Sequence, residues 1–182
     1  MKELTADEHA QLINSIRQGA VLLGIDRPFA RRFYTDTPLS VMKENTGEER
    51  YLEKGLVWLA FLGGPLTLLS SGILSISVLK WWDILFIPFA AITWFIYHAS
   101  SSRGTARLWP VSLLLVTTYI VYSLSVVQRS LALLAMIFLF ALWCSRFLYC
   151  GSAFFLRAFV MGNWRAFNFA KDGIAVRFGG DG

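Results

Sequence analysis

Between Gly55 and Leu79 no charged residue interrupts the chain, and three further apolar runs follow, each set off from the next by a short polar break. A soluble core breaks up its apolar positions with a period near 3.6 or 2, whereas long runs without that rhythm read as helices lying in hydrocarbon. The expected spans are residues 56–78, 81–98, 108–127 and 131–155. Each is close to the roughly 20 residues that a slab of about 30 Å requires at about 1.5 Å per residue. Trp81 and Trp82 flank the second span, and Trp109 with Pro110 opens the third, where an interfacial ring and a first-turn proline are both at home.

The polar stretch before these spans predicts a mainly helical region over residues 1–54. Thr5-Ala-Asp-Glu8 fits a capping box, and Leu12, Ile13, Ile16, Ala20 and Leu23 recur at spacings of three and four, predicting an amphipathic helix over about 6–24. Arg27 to Tyr34, "RPFARRFY", mixes arginines with aromatic rings, a composition that suits the lipid headgroup layer. Pro28 and Pro38, with Thr35-Asp36-Thr37, predict irregular chain between helices. A second capping box, Thr46-Gly-Glu-Glu49, predicts a helix from about residue 47 that runs into the first span. Because the first strongly apolar segment follows this polar region, that span is expected to serve as the targeting signal.

Charge then sets the orientation. Of the seventeen Lys and Arg residues, fifteen fall on the side of the N-terminal region, the 98–108 loop and the chain from Arg146 onward, leaving Lys80 and Arg129 on the other. The positive-inside rule places both termini in the cytoplasm. Residues 1–54 hold eight basic against nine acidic side chains, so the net charge of +5 forms no basic stripe and nucleic-acid binding is not expected. At 55% hydrophobic and 16% charged, against about 25% charged for soluble domains, the chain reads as an all-α integral membrane protein. Its parts are a cytoplasmic region 1–54, a four-helix domain 55–158 and a cytoplasmic tail 159–182. The expected location is the bacterial inner membrane.

Candidate chemistry is sparse. Gly63, Thr67, Ser71 and Ser75 recur every four residues with Gly64 alongside. This small-residue seam lets a second helix approach closely, with hydroxyls able to bond across the contact. Arg146 lies about 22 Å along the fourth span, near the cytoplasmic boundary, where its guanidinium can snorkel to water. His98 and Asp83 end the second span on opposite sides and read as boundary residues. Cys144 and Cys150 fall on different helical faces, with no clustered His or Cys beside them, and predict packing rather than a metal site. No catalytic motif, cofactor or metal is expected.

In the tail, Asp172-Gly173 suits a type I′ turn. It predicts a hairpin pairing Lys171 with Ile174, Phe169 with Val176 and Phe167 with Phe178. The aromatic face of Phe167, Phe169, Val176 and Phe178 would dock on the chain's own N-terminal region, the bilayer or another protein, since an isolated hairpin is marginal in water. Together these features predict a non-enzymatic membrane subunit that assembles through its spans, with itself or other membrane subunits, and engages a cytoplasmic protein partner. A small transporter or oligomeric pore, using Thr67, Ser71, Ser75, Thr117 and Thr118 with Arg146 near its mouth, is the alternative. A membrane enzyme using His98 ranks third.

Overall fold

A computed structural model describes residues 3–103 and 106–178, with the side chains of Asp83 and Phe178 outside the described set. In chain order it contains α1 (Ala6–Arg17), β1 (Val21–Ile25), α2 (Arg27–Asp36), α3 (Leu39–Thr46), α4 (Tyr51–Leu79), α5 (Asp83–Ser101), α6 (Trp109–Ser123), α7 (Arg129–Gly162), α8 (Trp164–Phe169) and β2 (Ile174–Phe178). Single 3-10 turns lie at Lys80–Trp82 and Lys171–Gly173. These elements form two compact units: the chain up to Val57 together with the chain from Gly151 onward, and Trp58–Cys150. The N-terminal region and the tail, read separately in the sequence, thus belong to one unit.

In that first unit the expected capping box opens α1. The Thr5 hydroxyl accepts from the Glu8 N–H at 3.3 Å, and the Glu8 carboxylate accepts from the Thr5 N–H at 2.8 Å. The helix ends at Arg17, short of the expected residue 24. Gly19 turns the chain at φ +77°, a left-handed conformation that carries no Cβ penalty in glycine. Val21 and Leu23 are buried and Leu22 exposed, the period-two pattern of a strand. Leu23 fits the helical spacing from Ile13 and Ile16 equally well. The deciding factor is β2, which pairs antiparallel with β1 so that Leu23 faces Val176 and Ile25 faces Ile174.

Three further expectations change for local reasons. The chain expected to be irregular from Pro28 to Pro38 is helical as far as Asp36, with only Thr37 and Pro38 outside a helix: the Asp26 carboxylate accepts the Phe29 N–H at 3.0 Å, Pro28 sits in the first turn, and α2 buries Ala30, Phe33 and Tyr34. Thr46 opens no helix. It is the last residue of α3, its hydroxyl donating to the Met42 carbonyl at 2.6 Å, and Gly47 closes that helix at φ +79°. The tail hairpin is absent, because neither Asp172 nor Gly173 has a positive φ and the Asn163 side chain instead caps α8, accepting from the Arg165 and Ala166 N–H groups.

An aromatic core holds this unit together. The Phe33 ring meets Tyr34, Phe159 and Phe169 edge-on at 5.4, 6.4 and 5.6 Å between centroids, and Tyr34 meets Phe155 at 6.3 Å. Such pairs add about 0.5–1.5 kcal/mol each beyond their burial. The Arg50 guanidinium lies 4.6 Å from the Phe159 ring centroid and bonds Glu48 and Glu53. Asn163 also donates to the Thr46 carbonyl and the Glu48 carboxylate at 3.0 and 2.9 Å. One asparagine therefore orders both α8 and the α3–α4 connection.

The second unit is helical. Three helices are long and apolar enough to cross a membrane, at Tyr51–Trp82, Ile84–Ser101 and Arg129–Gly162, the first counted through its 3-10 turn and running, like the third, beyond this unit; α6 is shorter, at fifteen residues. Within the unit α7 is the central element, burying Ala132, Leu134, Ala141, Leu142, Cys144, Ser145 and Leu148. Of the described α5 side chains only Ala90 and Ser101 are buried, while Phe89, Ile92, Phe95 and Ile96 stand exposed. Apolar exposure on that scale calls for a lipid or protein covering rather than water.

Candidate functional site

The glycine end of the α4 small-residue seam lies against α7. A Cβ added to Gly63 would stand 3.4 Å from the Cys144 Sγ, and one added to Gly64 would stand 3.7 Å from Cys144 Cβ and Ser145 Oγ. Ser71 and Ser75 are fully buried and Thr67 half-buried. Their hydroxyls do not bond across the contact. Thr67 donates to the Gly63 carbonyl at 2.6 Å, Ser71 to Leu68 at 2.7 Å and Ser75 to Gly72 at 2.7 Å, all on their own helix. The small side chains thus supply closeness, and back-bonding satisfies their polar atoms internally. Thr117 and Thr118 likewise bond back to Leu113 and Leu114 on α6, with Thr117 exposed.

Polar and aromatic groups converge instead where the last turns of α5 meet α7. His98 stacks on Trp94, with centroids 5.1 Å apart and planes 23° apart, and its Nε2 is 3.3 Å from the Tyr149 hydroxyl. One turn away on α7, the Arg146 guanidinium lies 4.2 Å from the Tyr97 ring centroid, a cation–π contact, with its Nε buried and without a hydrogen-bond partner among the described residues. The chain after α5 folds back onto α7: Arg103 N–H bonds the Ser100 carbonyl at 3.2 Å, Ala106 N–H bonds Arg103 at 3.1 Å, and the Cys150 thiol reaches the Ala106 carbonyl at 3.6 Å. Trp143 Nε1 fixes α6 by donating to Ser112 Oγ at 3.0 Å. The result is a cavity of about 460 Å³ lined by Tyr97, Ser100, Arg103, Arg107, Trp109 and Arg146 among others, with three arginines and no acidic residue.

Beside it, a second cavity of about 310 Å³ lies between α4, α5 and α7, lined by Gly64, Pro65, Trp94, His98, Ser145 and Leu148 among others. His98 thus borders an apolar crevice. Asp83 opens α5 at its other end, and its side chain lies outside the described residues. Among the described residues no three His, Cys, Asp or Glu side chains come together to hold a metal ion.

The expected tail face lies on its own chain by a different route. Phe167 on α8 is buried and meets the His9 ring edge-on at 5.6 Å, while His9 Nε2 sits 2.8 Å from the Val160 carbonyl. Phe169 packs on Phe33, and Val176 pairs with Leu23. The side chain of Phe178 lies outside the described residues, though its backbone pairs with Val21. Asn168 and Leu4 bond in both directions: the side-chain amide donates to the Leu4 carbonyl at 2.8 Å, and the Leu4 N–H donates to Asn168 Oδ1 at 2.9 Å.

No family model matches this chain, and neither a curated protein nor a solved structure shows significant similarity to it. Tyr97, Arg103, Arg107 and Tyr149, absent from the sequence-based candidates, join the site only through helix packing. A sequence signal for half of it does exist: Arg146 and Tyr149 are three apart on α7, which places them on one helical face.

Proposed function

We propose that the chain is a non-enzymatic subunit of a membrane assembly, crossing the bilayer four times with both termini in the cytoplasm of a bacterial cell. The observation that carries the topology is the β1–β2 pairing, Val21–Ile25 against Ile174–Phe178. Strands that pair lie on one side of a membrane, so the chain between them crosses an even number of times. Three long apolar helices make an odd number, and α6, at about 22 Å, supplies the fourth as a short span. Fifteen of seventeen Lys and Arg residues then lie on the cytoplasmic side.

The subunit role draws on the first unit. Its two-stranded sheet has Leu22 exposed at 61% beside Arg177, and among the described residues β1 and β2 pair only with each other, leaving the other edge of each strand to receive a partner strand. The pore alternative gains less support, since the Thr67, Ser71, Ser75 and Thr117 hydroxyls that would line it are each bonded to a carbonyl of their own helix, and Ser71 and Ser75 are buried. Gentle detergent extraction followed by mass measurement of the intact complex tests this reading. A stoichiometric protein partner is expected, and its loss with Leu22→Asp locates the contact. A homo-oligomer without partner that renders liposomes leaky would overturn the subunit reading. Labelling of a cysteine placed at residue 103 from outside the cell would overturn the topology.

A further inference from the structure

We propose that the basic cavity beside Arg146 binds the phosphate of an acidic phospholipid headgroup. The inference rests on α5, α6 and α7 crossing the bilayer as proposed above. The cavity draws three arginines, Arg103, Arg107 and Arg146, to one concavity, and none of its described lining residues is acidic. Arginine, rather than lysine, is the side chain whose planar fork matches the oxygens of a phosphate. Arg146 is held there: the Tyr97 ring lies 4.2 Å under its guanidinium and its buried Nε has no hydrogen-bond partner among the described residues. A buried donor of that kind carries a penalty that an oxyanion can relieve.

The site is built by the fold. The Ser100–Arg103 and Arg103–Ala106 backbone bonds and the Cys150–Ala106 contact fix Arg103 and Ala106 against the ends of α5 and α7. The position favours a lipid over a soluble anion. Trp109 is exposed at the opening turn of α6, and exposed Phe95 and Ile96 precede the cavity on α5. A ligand with its phosphate on the arginines therefore has apolar helix surface beside it for acyl chains, and basic pockets between spans at the cytoplasmic side suit such headgroups.

The test uses the full chain purified in detergent, exposed to equal amounts of phosphatidylglycerol and phosphatidylcholine, and read by native mass spectrometry for retained lipid. Wild type is expected to keep one phosphatidylglycerol and little phosphatidylcholine. Arg103→Gln and Arg107→Gln, at exposed positions, should each cut retention several-fold, Arg146→Gln more, and Arg129→Gln not at all. Millimolar glycerol phosphate should fail to displace the lipid. Equal retention of the two lipids, or of wild type and the two exposed variants, would overturn the proposal. Displacement by glycerol phosphate alone would make the ligand a soluble phosphate and overturn the lipid assignment. A protein that stays in the aqueous phase of a detergent partition contradicts the membrane reading itself, a result distinct from all of these.

Discussion

Replacing Gly173 by alanine places a methyl group where the Phe29 ring already is. The added Cβ would stand 2.0, 2.3 and 2.6 Å from three ring carbons, whereas carbon atoms settle at about 3.5–4.0 Å. The ring must therefore move by about 1.5 Å. The backbone beneath it resists, because Phe29 is the residue whose N–H the Asp26 carboxylate holds, and the Asp26 N–H in turn bonds the Gly173 carbonyl at 2.9 Å. Overpacking of this kind costs about 1–3 kcal/mol. Phe29 is half-buried and can swing partly outward, which puts the expected loss toward the lower end. Gly173 has no positive φ, so the cost is steric and belongs to the pair. Phe29→Ala in the Gly173→Ala background should recover at least about 1 kcal/mol relative to additivity. Gly47 at φ +79° provides the contrast, since the strain of Gly47→Ala is in its own backbone and Phe29→Ala should leave it unchanged. Pulse proteolysis of the detergent-solubilised chain along a urea series, followed by mass identification of cuts in the first unit, measures these differences. Additive behaviour of the Gly173 and Phe29 variants, or a neutral Gly173→Ala, would refute the steric account.

Other outcomes follow from single contacts. Asn168→Ala removes both hydrogen bonds to Leu4 and should cost about 2 kcal/mol, read as faster amide exchange over residues 4–17; unchanged exchange there would count against the bracket. The buried Tyr34 hydroxyl has no hydrogen-bond partner among the described residues, so Tyr34→Phe should match or exceed wild-type stability by about 1 kcal/mol, and a clear loss would show a hidden partner. Burial, reinforced by Glu53, raises the Tyr34 phenol above its ordinary range. The wild-type fold therefore keeps its full stability below about pH 10, the value in the unfolded chain, and loses stability as pH rises above it, making wild type more alkali-sensitive than Tyr34→Phe. Ser71→Leu should disrupt the detergent-resistant fold while Ser70→Leu, one residue away but exposed, should not; equal behaviour in a thermal aggregation assay would remove the seam argument.

The apolar runs were legible because length and the absence of charge suffice to mark them, and the Thr5–Glu8 box because its residues are adjacent in sequence. Errors arose where one local pattern admits two structures. Leu23 satisfies both a helical and a strand spacing, and only the distant Val176 decides between them. Thr46 and Glu49 have capping-box spacing, yet Gly47 between them takes the left-handed conformation that ends a helix instead. Asp172-Gly173 looks like a turn, but Asn163 upstream caps a helix over the segment that would have been the first strand. The arginine cavity was legible only in part, since a sequence shows Arg146 but not that Tyr97 on α5 and Arg103 in the chain after it arrive beside it.

The bond between Leu4 and Asn168 joins residues 164 positions apart, and that separation has a consequence for how the protein is made. A ribosome adding roughly 5–20 residues per second needs on the order of ten to thirty seconds to travel between them. Throughout that interval β1 has no strand beside it and the His9 face of α1 has no Phe167 to cover it. The first unit can close only after every intervening helix has been synthesised and β2 has emerged. Its closure thus reports that the chain from Leu4 through β2 has been made. A chain stalled or truncated before residue 174 carries an open strand edge, a feature that distinguishes it from the closed unit to any protease or chaperone that surveys unfolded segments.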